Sequence, residues 1–177
     1  VAKILGRGGT ILKSARCEEF RNEEGRRKAH QQLLENEVDA LVVIGGNGTF
    51  AGAMHFSKET GFPVIGLPGT IDNDLSGSDC TIGFDTATNT VVEAVDKIRD
   101  TADSHNRLFF VEVMGRDSGF IALHSGIATG AVAVMTHETG ISIEELVKIL
   151  GVGQASNKTS SIVIVSEGHP EGGAFEI

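Results

Sequence analysis

At 177 residues and 40% hydrophobic content, the chain is long enough for one ordinary domain or two small lobes with a real core, and it reads as globular. Its formal net charge of -9 argues against nucleic acid or an anionic membrane as partner, since either needs a basic face. No apolar stretch approaches the ~20 residues that span a bilayer, no basic-then-apolar leader is visible, and Cys17 and Cys80 are too few for a disulfide framework or metal cluster, which fits a reducing cytoplasm.

In chain order, the charged segment Glu18 to Glu35, with Phe20, Ala29, Leu33 and Leu34 as its apolar positions, predicts an exposed helix interrupted near Gly25, its charge run a solvated face. Strands are predicted at residues 40–44, 64–67, 108–113, 131–135 and 161–165. Helices are predicted at residues 49–59, 85–101, 119–129 and 143–150. The second of these carries Val91, Val95 and Ile98 on one face behind Asp85 as its expected N-cap. Alternation of strand and helix predicts an α/β fold with parallel sheet layers and helices on both faces. No internal repeat or low-complexity tract interrupts it.

Three loops carry chemistry. The run Val64-Ile65-Gly66-Leu67, bounded by Pro63 and Pro68, reads as a buried strand that delivers Thr70, Asp72 and Asp74 at its carboxyl end, where open α/β sheets bind ligands. A carboxylate there suits proton removal from a substrate hydroxyl, and its neighbour suits a metal or a sugar. The plain alternative is an Asp- and Asn-rich turn. Upstream, Ala40 to Ile44 feeds into Gly45, Gly46 and Gly48, with Thr49 opening a helix. Glycines allow close approach to phosphate oxygens, and the helix start offers free N–H groups. No Gly-Lys-Ser/Thr ending follows, so this is not a Walker A loop. The third loop is Val-Glu-Val-Met-Gly-Arg, residues 111 to 116.

Together these loops, with Arg-Gly-Gly-Thr (7 to 10), Ser-Ala-Arg (14 to 16) and Val-Ser-Glu (165 to 167), closely resemble the bacterial-type ATP-dependent 6-phosphofructokinases over essentially the whole chain. The resemblance implies a three-layer phosphofructokinase-like α/β fold, transfer of the γ-phosphoryl of ATP to the 1-hydroxyl of fructose 6-phosphate in glycolysis, magnesium (Mg2+), and a cytoplasmic, allosteric homotetramer. It implies Asp72 as catalytic base, with Thr70 and Arg116 as catalytic partners. Arg16, Cys17 and Gly46, Asn47, Gly48 and Thr49 match nucleotide contacts. Thr70, Ile71, Asp72, Asp74, Arg107, Met114, Gly115, Arg116 and Glu167 match the sugar-phosphate pocket, Arg107 by reaching a neighbouring subunit. Asn47 and Asp74 match metal positions, Arg99 and Lys158 effector-site cations. Residues 1–83 are expected in the ATP lobe and 84–177 in the sugar-phosphate lobe. In the family a glycine-rich loop precedes the point where Val1 stands and a sizeable segment follows Ile177, so an internal fragment of a longer subunit, inactive alone, is expected.

Asn47 departs from the Gly-Gly-Asp-Gly of the family loop, and hard cations favour carboxylate over a neutral amide. Val132 replaces an acidic effector-site residue. Pyrophosphate-dependent relatives carry Asp where Gly48 stands and Lys where Gly69 stands, so ATP is the expected donor. Two other readings compete. An NAD- or lipid-kinase-like enzyme shares an approximate Gly-Gly-Asp-Gly-Thr, against which residues 67 to 74 and 111 to 116 argue. A non-catalytic regulatory subunit is favoured by Asn47 and opposed by Asp72.

Overall fold

The computed structural model describes residues 6–11, 13–155 and 161–177. Its strands are β1 (Leu41–Gly45), β2 (Val64–Pro68), β3 (Leu108–Val113), β4 (Ala133–Met135) and β5 (Ser161–Ser166). Its helices are α1 (Glu23–Glu35), α2 (Asn47–Thr60), α3 (Phe84–His105), α4 (Phe120–Thr129) and α5 (Ile143–Ala155), and a short 3-10 turn, Glu19–Arg21, precedes α1. Among the described residues no helix is long and apolar enough to cross a membrane.

The chain divides into two compact units. One gathers the described residues of Val1–Val43 with Gly48–Leu67, the other Ile44–Asn47 with Pro68–Ile177. In the second unit β3, β5 and β4 form a parallel sheet in that order, with Leu108 opposite Ser161 and Ala133 opposite Val163. Side chains of a strand alternate between faces, and both faces of β5 are covered. Ile162 and Ile164 pack with Phe84, Val95, Ile121 and Ala122 of α3 and α4, while Val163 and Val165 pack with Met135 and with Leu146 of α5. Central strands sealed on both sides are what an apolar run without polar alternation specifies.

In the first unit, stacked and edge-on contacts among Phe20, His30, Phe56 and Phe62 build the core. β1 and β2 pair with each other. The Leu41 N–H donates to the Pro63 carbonyl and, at the other end, the Gly69 N–H donates to the Gly45 carbonyl, both at 3.0 Å, start to start and end to end as parallel strands do. The strand expected to be buried is largely open, with Ile65 64% and Leu67 38% exposed, since β2 has β1 as its one sheet neighbour among the described residues.

Three further sequence expectations change. The break in the charged helix falls at Asn22, whose ψ of 149° is extended, and Gly25 lies inside α1. Glycine is required there because a Cβ would sit 1.9 Å from the Glu19 carbonyl oxygen. Nor is the charge run wholly solvated. Arg26 is 9% exposed, donates from Nε and Nη2 to the two Glu59 carboxylate oxygens at 2.6 Å, and caps the carbonyls of Phe20 and Arg21. These bonds hold the Glu59 carboxyl below its usual range. Finally, Gly83 rather than Asp85 is the N-cap of α3. Asp85 stands in the first turn, where a negative charge favours the helix dipole, and accepts from the Asn89 side chain.

Candidate active site

Asp72 stands on the loop that follows β2, and backbone bonds fix it from both sides. Its N–H donates to Thr70 Oγ1 at 3.2 Å, and its carbonyl accepts from Ser118 Oγ at 2.9 Å. The next residue, Asn73, has φ of 53°, a left-handed conformation that asparagine tolerates better than most side chains. Its Oδ1 accepts from the N–H and hydroxyl of Thr81, which is 3% exposed. This reversal separates the two carboxylates. The Asp72 side chain is 13% exposed, whereas Asp74 is exposed and accepts from the Asn47 amide at 2.7 Å.

The loop after β3 supplies the opposite charge. Arg116 Nε lies 3.8 Å from Asp72 Oδ2, with the arginine side chain 75% exposed. Arg116 has φ of 53° and Gly115 φ of 141°; a non-glycine residue held in this region marks a geometry that its surroundings impose. Gly115 admits no side chain, since a Cβ would meet the Ser118 carbonyl oxygen at 2.4 Å. The successive N–H groups of Gly115 and Arg116 both donate to Glu167 Oε1, at 3.0 and 2.6 Å. Glu167 follows β5 directly, and its own N–H donates to the Val113 carbonyl. Adjacent strands β3 and β5 therefore deliver Arg116 and Glu167 to one loop cluster beside Asp72. That cluster pairs a partly sheltered carboxylate with an exposed guanidinium, a constellation suited to accepting a hydroxyl proton while stabilising a transferring anion.

The phosphofructokinase family model matches residues 1–176. The chain belongs to the phosphofructokinase family. It is 55% identical over 175 residues to ATP-dependent 6-phosphofructokinase 2 of Bacteroides thetaiotaomicron, covering 99% of this chain and 54% of that protein. It is 56% identical over 177 residues to the ATP-dependent 6-phosphofructokinase of Cytophaga hutchinsonii, covering 100% and 54%. Among solved structures, Pichia pastoris phosphofructokinase in the T-state superposes with a TM-score of 0.85 at 40% identity, covering 92% of this chain and 19% of that one. The chain thus spans about half the length of the curated relatives it matches.

The remaining expected residues of the chain fall as follows. Gly46 abuts Thr70, whose Cβ would lie 3.3 Å from an added Cβ. Asn47 begins α2 two residues earlier than Thr49, the expected start. Cys17, Gly48 and Thr49 line an apolar recess of about 300 Å³ with Phe20, Gly52 and Phe56; Cys17 is exposed, as is Arg16. Gly48 faces open space, but Gly69 does not, because a Cβ there would meet Ile44 Cγ2 at 2.6 Å. Packing alone therefore requires glycine at 69. The Ile71 side chain joins the α3 and α4 core, leaving its backbone for any ligand. Met114 is 62% exposed.

Arg107 is not brought to the cluster. It stands at the start of β3, whereas Met114 to Arg116 follow its end, and six residues of strand separate them by roughly 20 Å. Arg99 donates to the Thr129 carbonyl at the end of α4, and Val132 packs against the α5-side core. Lys158 lies outside the described residues.

Three contributors escaped the sequence reading: Asn73, Ser118 and Glu138. Glu138 Oε1 accepts from the Gly119 N–H at 2.8 Å at the start of α4. Burial pushes its carboxyl up, but hydrogen bonds from the backbone of Gly119 and of Glu138 itself and from Thr136, with His137 nearby, outweigh this and hold it below the usual range. The only available signal for Asn73 was its residue type inside a turn.

Proposed function

We propose that the complete subunit carrying this chain transfers the γ-phosphoryl of ATP to the 1-hydroxyl of fructose 6-phosphate, giving fructose 1,6-bisphosphate and ADP. The observation that carries this reading is the Asp72 carboxylate, fixed through both its backbone groups and facing Arg116. Family membership supports it, as do the names of relatives more than half identical to this chain.

In this reading the 1-hydroxyl oxygen attacks the γ-phosphorus, its proton passes to Asp72, and the bond from phosphorus to the bridging oxygen breaks as ADP leaves. Proton removal is late, so positioning and charge neutralisation supply most of the acceleration. Arg116 stabilises the charge on the transferring group. Glu167 spends Oε1 on the Gly115 and Arg116 N–H groups and keeps its second oxygen for sugar hydroxyls. Thr70 and Asp74, with the backbone of Ile71, Met114 and Gly115, complete the sugar-phosphate contacts. Arg16, Cys17 and the turn Gly46 to Thr49 hold ATP.

Among the described residues there is no group of three or more His, Cys, Asp or Glu that would cage a metal. One or two carboxylates with nucleotide phosphates suffice for magnesium, and the exposed Asp74 carboxylate, held by the Asn47 amide, fits as such a donor. A magnesium ion held there would supply neutralising charge for the nucleotide phosphates. Asn47, engaged through its amide N–H with Asp74, orients that carboxylate. Residues 1–83 serve the ATP lobe and 84–177 the sugar-phosphate lobe. The family resemblance is the ground for a cytoplasmic homotetramer, and Arg107, at the opposite end of β3 from the cluster, serves in this reading the 6-phosphate of an adjacent subunit. A coupled ADP-release assay with fructose 6-phosphate against other phosphosugars tests the activity. A non-catalytic regulatory subunit, favoured by the neutral Asn47, predicts sugar-phosphate binding without ADP release.

A further inference from the structure

A single buried hydroxyl ties the loop after β2 to the loop after β3. Ser118 is 7% exposed, and its Oγ donates to the Asp72 carbonyl at 2.9 Å across 46 positions of sequence. Ser118 is itself held in place. Its N–H donates to the Gly115 carbonyl at 2.9 Å, closing the turn on which Arg116 sits. That turn is so tight that a Cβ at Gly115 would lie 2.4 Å from the Ser118 carbonyl oxygen.

The consequence is geometric. Thr70 Oγ1 fixes the N–H of Asp72 and Ser118 Oγ fixes its carbonyl, so the backbone on both sides of the Asp72 Cα is held and only the side-chain torsions are left. The same serine closes the turn that places Arg116, whose Nε stands 3.8 Å from Asp72 Oδ2. One residue thus sets the spacing of the base and the cation together. Alanine would fill nearly the same volume but would leave the Asp72 carbonyl without this donor. A neutral hydrogen bond of this kind contributes modestly to stability, whereas a shift of about 1 Å in a reacting group costs on the order of 10²-fold in rate.

We propose that Ser118 is a positioning residue for the phosphoryl transfer, its hydroxyl holding the Asp72 loop in register with the Arg116 turn. This rests on the reading of Asp72 as the base. The test compares Ser118→Ala, Ser118→Thr and Asp72→Ser in the complete subunit, measuring kcat, KM for fructose 6-phosphate and for ATP, and Tm. Ser118→Ala is expected to lower kcat by roughly 10- to 100-fold with both KM values and Tm little changed, and Ser118→Thr, which keeps the hydroxyl, to recover most of the loss. Wild-type kcat in Ser118→Ala beside a collapsed Asp72→Ser would overturn the role of Ser118 and leave the base intact. A loss in Ser118→Ala that tracks a fall in Tm, or that threonine does not restore, would also overturn it. Wild-type kcat in Asp72→Ser would remove the base, and the positioning role with it.

Discussion

The Asn47 amide donates to the Asp74 carboxylate at 2.7 Å, so a neutral group, not a second acid, stands against the carboxylate proposed to meet magnesium. Asn47→Asp would set two carboxylates at that distance, an arrangement that is costly without a cation and attractive to one. In the absence of nucleotide the complete wild-type subunit is expected to keep the same Tm with EDTA or with magnesium. Asn47→Asp should melt lower in EDTA and recover with magnesium, and it should need several-fold less magnesium for half-maximal rate. Indifference of the variant to magnesium in both measurements would show that position 47 takes no part in metal binding.

Asp72→Ser should lower kcat by about 10²- to 10⁴-fold, the range for a general base, while leaving KM nearly unchanged, because the lost interaction belongs to the transition state. Steady-state kinetics of the complete subunit decide this. A raised KM with kcat preserved would mean that Asp72 binds substrate and does not take its proton.

The donor is tested at Gly48, not Gly69. A side chain at 69 collides with Ile44 whatever its charge, whereas Gly48 has open space around it. Gly48→Asp should therefore fold normally and weaken ATP use by at least ~10-fold, since a carboxylate there faces the nucleotide's negative charge. Pyrophosphate should not replace ATP in the wild type. Equal rates with the two donors would contradict the assignment.

Glu138 gives a pH-dependent prediction. Its folded carboxyl lies below the ordinary value of 4.5, so its contribution is fully present above that value and is lost as pH falls through the lower folded value. Glu138→Gln should destabilise by roughly 1 kcal/mol at neutral pH, allowing for solvent screening. The difference in Tm from wild type should shrink as the pH is taken below about 4.5. A constant difference from pH 7 to pH 3 would mean that shape, not charge, matters at this position.

Elements set by local pattern were legible in the sequence. The apolar run of β5, the spacing of Val91, Val95 and Ile98 in α3, and the glycines after β1 each signal structure through near neighbours, and all stand close to where the residues predict. What was hidden depends on partners far along the chain. Arg26 reads as one more surface charge until Glu59, 33 residues away, reaches it. Gly69 reads as a mark of the phosphoryl donor until Ile44 is seen to fill the space beside it. Ser118 carries no motif of its own, and its function as a donor exists only because the fold places the Asp72 carbonyl within reach.

Asp72 and Arg116 are proposed to serve phosphoryl transfer from ATP to fructose 6-phosphate. The most direct measurement is coupled ADP release by the complete subunit, with fructose 6-phosphate and a panel of other phosphosugars supplied in turn at saturating ATP and magnesium. Turnover specific to fructose 6-phosphate, lost in Asp72→Ser, is the predicted result. Binding of the sugar phosphate with no ADP released by the wild type would contradict the account and establish a regulatory subunit instead.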